Sequence, residues 1–196
     1  MNETNILTNL TTLPLKFENK IYTDVFKDKN NKTLKETIEH KRYNKFKEYV
    51  EKNYALYLDM NIGDFLIKLK NSNDTYYKNF LNRYGDLTYS RFYIEDKFYY
   101  DIKGVYFYFL DEKLQYIGRC KDSMKKRVNN GYGKISPKNC FLDGQATNCK
   151  INALISQNIS NIVLKIYPLS NNSAIEKLEE KLIKYFKPNW NNIFYQ

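Results

Sequence analysis

The chain has 196 residues, 42% of them hydrophobic, with 19 Tyr and 12 Phe; so aromatic a composition excludes a disordered chain, and the length suits one core or a small domain with a substantial extension. The formal charge of +10 is uneven: Lys and Arg number 17 against 14 acids in residues 1–100, but 15 against 8 in residues 101–196. A basic, aromatic half suits a polyanion, because cationic side chains displace counterions from phosphates and flat rings stack on bases, although a solvated lysine-rich surface gives the same totals.

Cys120, Cys140 and Cys149 lack C-x-x-C spacing, which argues against a disulfide framework and a zinc cluster and for reduced thiols. The start, MNETNILTNL, has no basic, apolar leader pattern, and no later stretch is apolar for the roughly 18 residues of a membrane span, so a soluble cytoplasmic protein is expected.

Residues 1–30 are polar with scattered apolar positions and read as a loosely structured arm or a capping segment. Thr33 and Glu36 form a capping-box pattern, and Leu34, Ile38, Phe46, Val50 and Tyr54 predict a helix over roughly 34–55. Helices over Ile62 to Leu69 and Tyr76 to Tyr84 follow, and then an aromatic, β-prone stretch. The second half reads as strand, strand, helix, helix, strand, helix: Gly104 to Leu110, Leu114 to Gly118, a short helix from Asp122 or Ser123 to Gly131, Asn152 to Gln157, Ile162 to Tyr167, and a final helix from Ser173 that Pro188 stops. This is a compact α+β unit.

With a turn at residues 111–113, Leu110 faces Leu114, Tyr108 faces Tyr116 and Tyr106 faces Gly118. Alternation then puts Tyr106, Tyr108 and Tyr116 on one face, with Tyr106 and Tyr116 diagonal neighbours roughly 7–8 Å apart and open space at Gly118 beside the Tyr106 ring. The bland reading is an aromatic cross-strand cluster. On the last helix, Ser173 and Glu176 fit a capping box, while Glu179 falls within the stripe of Ile175, Leu178, Leu182, Ile183 and Phe186. A carboxylate there needs a cationic partner, with Arg127 the candidate, or a metal ion. On the helix after Ser123, Met124 and Val128 face the core, Arg127 flanks them with a fork suited to phosphate, and Lys126 turns away.

Together these residues resemble the GIY-YIG nuclease superfamily: GVY at 104–106, YIG at 116–118, Arg127, Glu179 in EKLEEKLIKYF, and Asn191 in KPNWN, five elements in the family's order. Val105 stands where isoleucine is usual, and Arg127 lies one residue beyond the commonest spacing, where Lys126 stands as the alternative. Some restriction enzymes of the family add a histidine near the arginine; the sole histidine here is His40, which leaves Tyr132 or Lys134 as replacements.

The resemblance implies an α+β GIY-YIG module, a three-stranded antiparallel sheet flanked by helices, over residues 101–196, with an insertion at about 132–152. It follows a mainly helical extension over residues 1–100 for DNA recognition or dimerisation. It implies a sequence-specific endonuclease acting on double-stranded DNA with Mg2+ (or Mn2+) and most similar to type II restriction enzymes, hence a homodimer. Tyr106 would activate or position water, Tyr116 and Arg127 would hold the phosphate, Glu179 would bind the metal, Gly118 would give room, and Asn191 would bond backbone. Arg119, Asn139, Gln145, Thr147, Asn148, Lys150 and Asn152 are candidate DNA contacts, the polar stretch 134–152 suiting base edges or being an ordinary loop. A repair or mobile-element nuclease and a non-catalytic nucleic-acid binder are the competing readings.

Overall fold

The computed structural model describes residues 3–192, so the first two residues of the expected arm and the last four of the expected catalytic region lie outside it. In chain order the main elements are α1 (Glu3–Leu7), β1 (Thr11–Leu13), β2 (Leu15–Tyr22), α2 (Leu34–Ile38), α3 (Lys47–Asn53), α4 (Ile62–Asn71), β3 (Tyr89–Ile94), β4 (Gly104–Leu110), β5 (Lys113–Cys120), a π-helix (Lys125–Tyr132), α5 (Ala146–Ser156), β6 (Ile162–Pro168), α6 (Asn172–Phe186) and α7 (Asn189–Asn192). The fold is mixed α+β with antiparallel pairing throughout the main sheet. Among the described residues no helix is long and apolar enough to cross a membrane, and all three cysteines are free and buried.

Two compact units emerge, and their boundary is not the expected one at residue 100. One comprises Met1–Lys20, Ser90–Lys134 and Leu154–Gln196; the other comprises Ile21–Tyr89 and Ile135–Ala153. Pairing explains both departures. The arm is not loose: β1 pairs with β6 through Thr11 to Ile166 and Leu13 to Leu164, so the main sheet has four strands, ordered β1-β6-β4-β5, rather than three. The insertion belongs instead with the earlier residues. Asn82 Nδ2 donates to the carbonyls of Asn139 (2.7 Å) and Phe141 (3.1 Å), and the Phe141 ring joins a core with Phe26, Phe65 and Phe80.

In the second unit, the single helix expected over 34–55 is broken into α2, a 3-10 turn and α3. Tyr43 is the reason. It is buried, stacked 5.9 Å from Phe80, and its hydroxyl donates to Asp143 (2.5 Å), yet five residues after Ile38 it would lie about 140° away on a continuous α-helix. The Thr33–Glu36 capping box forms. The helix expected over Tyr76 to Tyr84 is a 3-10 turn, Thr75–Phe80.

In the first unit, alternation along β4 and β5 separates two faces. Val105, Phe107 and Ile117 pack with Ile175 and Leu182 of α6 and with Ile6, leaving Tyr106, Tyr108, Tyr116 and Gly118 on the opposite face. The turn has two residues, Asp111 and Glu112, both left-handed at φ 48° and 63°, so Leu110 faces Lys113 and not Leu114. A bulge after Tyr108 absorbs the extra residue and restores the pairings Tyr108–Tyr116 and Tyr106–Gly118.

Candidate active site at the edge of the main sheet

β5 is an edge strand, with β4 on one side only. An open edge leaves backbone groups unpaired, and Asn191 of α7 satisfies them at Ile117: its Nδ2 donates to the Ile117 carbonyl and its Oδ1 accepts from the Ile117 N–H, both at 2.8 Å. The asparagine thus acts as a fragment of strand that holds the middle of YIG in place.

On the tyrosine face, the Tyr106 ring fills the room that Gly118 leaves, space expected to be open; a Cβ at 118 would stand 2.3 Å from the Tyr106 hydroxyl. Tyr132 completes the group. Its hydroxyl lies 2.8 Å from that of Tyr106 and 3.4 Å from that of Tyr116. Burial pushes the Tyr106, Tyr108 and Tyr116 phenols well above their ordinary pKa; the neighbouring Tyr132 adds to this, whereas the Arg127 charge draws Tyr106 and Tyr108 back down. All three are therefore neutral hydrogen-bonding groups near pH 7.

The helix that carries Arg127 is wound as a π-helix, seen in the bond from Gly133 N–H to the Val128 carbonyl (2.7 Å). Five residues make about 140° on two sides of an α-helix, but they stack when hydrogen bonds run from i to i+5. That winding lets Arg127 and Tyr132 address the same face. Arg127 keeps solvent access. Lys126 pairs with Asp122 at 2.6 Å, both side chains exposed. Lys134, the other proposed stand-in for histidine, is exposed two residues beyond Tyr132, and His40 belongs to the other unit.

The side chain of Glu179 is 14% exposed, against 40% for Glu176 and 60% for Glu180, so it is the inward carboxylate of α6. Its partner is Arg119 and not Arg127: Arg119 Nη1 lies 2.9 Å from Glu179, 3.1 Å from Glu176 and 4.0 Å from Glu180. Burial raises the Glu179 carboxyl above its ordinary pKa, with Arg119 and Arg127 opposing the shift. The expected Ser173–Glu176 capping box is absent; Asn171 caps α6 by accepting from Ala174 N–H, because Glu176 is drawn to Lys121 (2.6 Å). Among the described residues no three His, Cys, Asp or Glu side chains converge to hold a metal. A single carboxylate still fits Mg2+, which is commonly held by one or two protein carboxylates together with substrate phosphate and water.

Three of the six candidate DNA contacts in 139–152 are buried and so withdrawn from base edges. The end of the stretch is helix α5, buried on every side from Asn148 to Ala153, and Asn148, Lys150 and Asn152 are 7%, 1% and 0% exposed. Asn139 Oδ1 accepts from the Ser136 backbone N–H and hydroxyl. Gln145 is exposed and Thr147 half-buried; the Gln145 side-chain Oε1 accepts from Asn148 Nδ2.

The sequence names Arg119 only as a DNA contact, although alternation puts it with Ile117 on the α6 face, where it meets Glu179. Tyr108 was seen on the tyrosine face but given no part. No family model matches the chain, and no curated protein or solved structure matches it.

Proposed function

We propose that this protein is a Mg2+-dependent DNA endonuclease of GIY-YIG type, and specifically a type II restriction enzyme acting on double-stranded DNA as a homodimer. The observation that carries this reading is the convergence of the Tyr106, Tyr116 and Tyr132 hydroxyls, two of them from the GVY and YIG segments of one β-ribbon, under the influence of Arg127. A further support is that the inward carboxylate of α6 acts electrostatically on Tyr116.

Arg127, open to solvent, takes the scissile phosphate with its planar fork, and the neutral phenol of Tyr116 donates to a second phosphate oxygen. Tyr106 orients the attacking water. As a neutral phenol it is a poor base, so it positions the water rather than deprotonating it unaided. Glu179 would hold Mg2+, which when bound stabilises charge on the departing 3′ oxygen. Arg119 must then share or release Glu179, and its charge becomes available to backbone phosphate. Asn191 keeps Tyr116 and Gly118 in register by clamping Ile117 between them. The other unit, residues 21–89 with 135–153, is the candidate for sequence recognition, with Gln145 and Thr147 as its solvent-reaching polar side chains in α5 and the turn before it.

Incubation of the full chain with phage DNA and Mg2+ tests the reading. Discrete fragments are expected. Nicking of branched DNA alone would make it a structure-specific nuclease, and retardation of DNA without cutting would make it a binder.

A further inference from the structure

Tyr108 is fully buried, with ring centroids of Tyr106, Tyr116 and Tyr132 at 6.1, 6.3 and 6.4 Å. Alone among these four phenols, its hydroxyl has no hydrogen-bond partner among the described residues. Packing does not account for the hydroxyl. The ring sits between Tyr116 on β5 and Leu164 on β6, and phenylalanine, which occupies the next position on either side of it in the strand, has the same shape. An unsatisfied buried hydroxyl is unfavourable, and replacing it by an apolar group is neutral or better for the fold. Where such a group persists in a native protein it calls for a reason in function.

Resting on the nuclease reading above, we propose that Tyr108 is a positioning residue that supplies the hydrogen bond to Tyr132 when Tyr106 and Tyr116 turn their O–H groups to substrate. Before substrate binds, Tyr132 is joined to Tyr106 at 2.8 Å and to Tyr116 at 3.4 Å. Each phenol has a single O–H, so when Tyr106 donates to water and Tyr116 to phosphate neither donates to Tyr132. Tyr108 is the adjoining phenol with hydrogen-bonding capacity unspent. A phenol carries one O–H donor and accepts through its oxygen, so the exchange changes partners without moving a proton or altering a covalent bond. The unfavourable hydroxyl exists only in the substrate-free state. Its satisfaction in the engaged state therefore lowers the barrier to engagement, which is a difference between states and so acts on rate.

The test is Tyr108→Phe in the full chain, read by Mg2+-dependent cleavage, by DNA binding in Ca2+ and by thermal unfolding. The variant is expected to melt at or above the wild-type temperature, to bind DNA as before, and to lose kcat by roughly tenfold to a hundredfold. In a Tyr132→Phe background the same substitution should cost nothing further, because the bond it would make is gone. A variant that cuts at the wild-type rate, or loses the same factor with and without the Tyr132 hydroxyl, overturns the proposal. A wild-type chain that cuts no DNA overturns the nuclease reading, and this inference falls with it.

Discussion

Arg119 and Glu179 form an ion pair 2.9 Å long between the residue that follows YIG and the inward carboxylate of α6. The carboxylate proposed to hold the metal is thus already held by a cation, and Mg2+ would have to displace or share that contact. Replacing Arg119 by glutamine removes the competitor. Arg119→Gln is expected to lower the Mg2+ concentration for half-maximal cleavage several-fold while weakening DNA binding, because the freed charge no longer reaches phosphate. Titration of cleavage rate against Mg2+ checks this, and an unchanged or higher requirement would show that the pair does not compete with the metal.

Gly118 is a site where one methyl group should separate activity from folding. A Cβ there meets the Tyr106 hydroxyl at 2.3 Å, and the ring, being buried, has little room to retreat. Overpacking of this kind costs about 1–3 kcal/mol. Gly118→Ala is expected to unfold at somewhat lower urea and to lose cleavage by far more than that stability change explains, because the Tyr106 hydroxyl is displaced. Full activity in the alanine variant would mean that Tyr106 need not be where it stands.

Asn191 has a structural duty that a stability measurement isolates. Asn191→Ala leaves the Ile117 N–H and carbonyl without the side chain that satisfies both; leaving buried polar groups unsatisfied costs roughly 1–3 kcal/mol each. Asn191→Asp sets a buried carboxylate against the Ile117 carbonyl, so at neutral pH it should unfold in no more urea than the alanine variant. Equal stability of all three proteins would refute the clamp.

The buried phenols make the fold sensitive to alkali. Tyr106, Tyr108 and Tyr116 have folded pKa values raised above the ordinary 10.0, mainly by burial. Above that value the unfolded chain releases these protons and the native chain retains them, so stability present below pH 10 is lost as pH rises further. Ultraviolet titration should show these phenols ionising together with unfolding, later than the exposed tyrosines. A smooth titration of every tyrosine near pH 10 in a chain that stays folded would contradict it.

How much of this was legible varies with the physics involved. The pairing of Tyr108 with Tyr116 follows from alternation in a hairpin, and it survives although the turn was misplaced by one residue, because the bulge after Tyr108 compensates. Asp111-Glu112 carries no glycine to announce a turn with two left-handed residues. The inward direction of Glu179 follows from helical angle alone. Its partner does not, since an ion pair across 60 positions of sequence leaves no local mark. Between Asn171 and Ser173, both good caps, local pattern does not choose; Lys121 does, by taking Glu176.

The π-helix at Lys125–Tyr132 was not legible at all. The expected helix ends at Gly131 and is periodic at 3.6 residues per turn, whereas the π winding continues through Tyr132. The same holds for residues 134–152, whose polar composition suits base contacts or an ordinary loop, yet Cys149 and Ile151 are buried and Asn148, Lys150 and Asn152 are buried with them. Long-range bonds such as those from Asn82 to Asn139 and Phe141 settle where the segment belongs.

The most direct test of the nuclease account is single-turnover cleavage of phage or plasmid DNA in Mg2+ by wild type and by Glu179→Ala, alongside gel retardation in Ca2+. Wild type should give discrete fragments, and the variant should retain DNA binding while its cleavage falls to background. Undiminished cutting by the variant would remove Glu179 from the metal site and, with it, the mechanism built on that carboxylate.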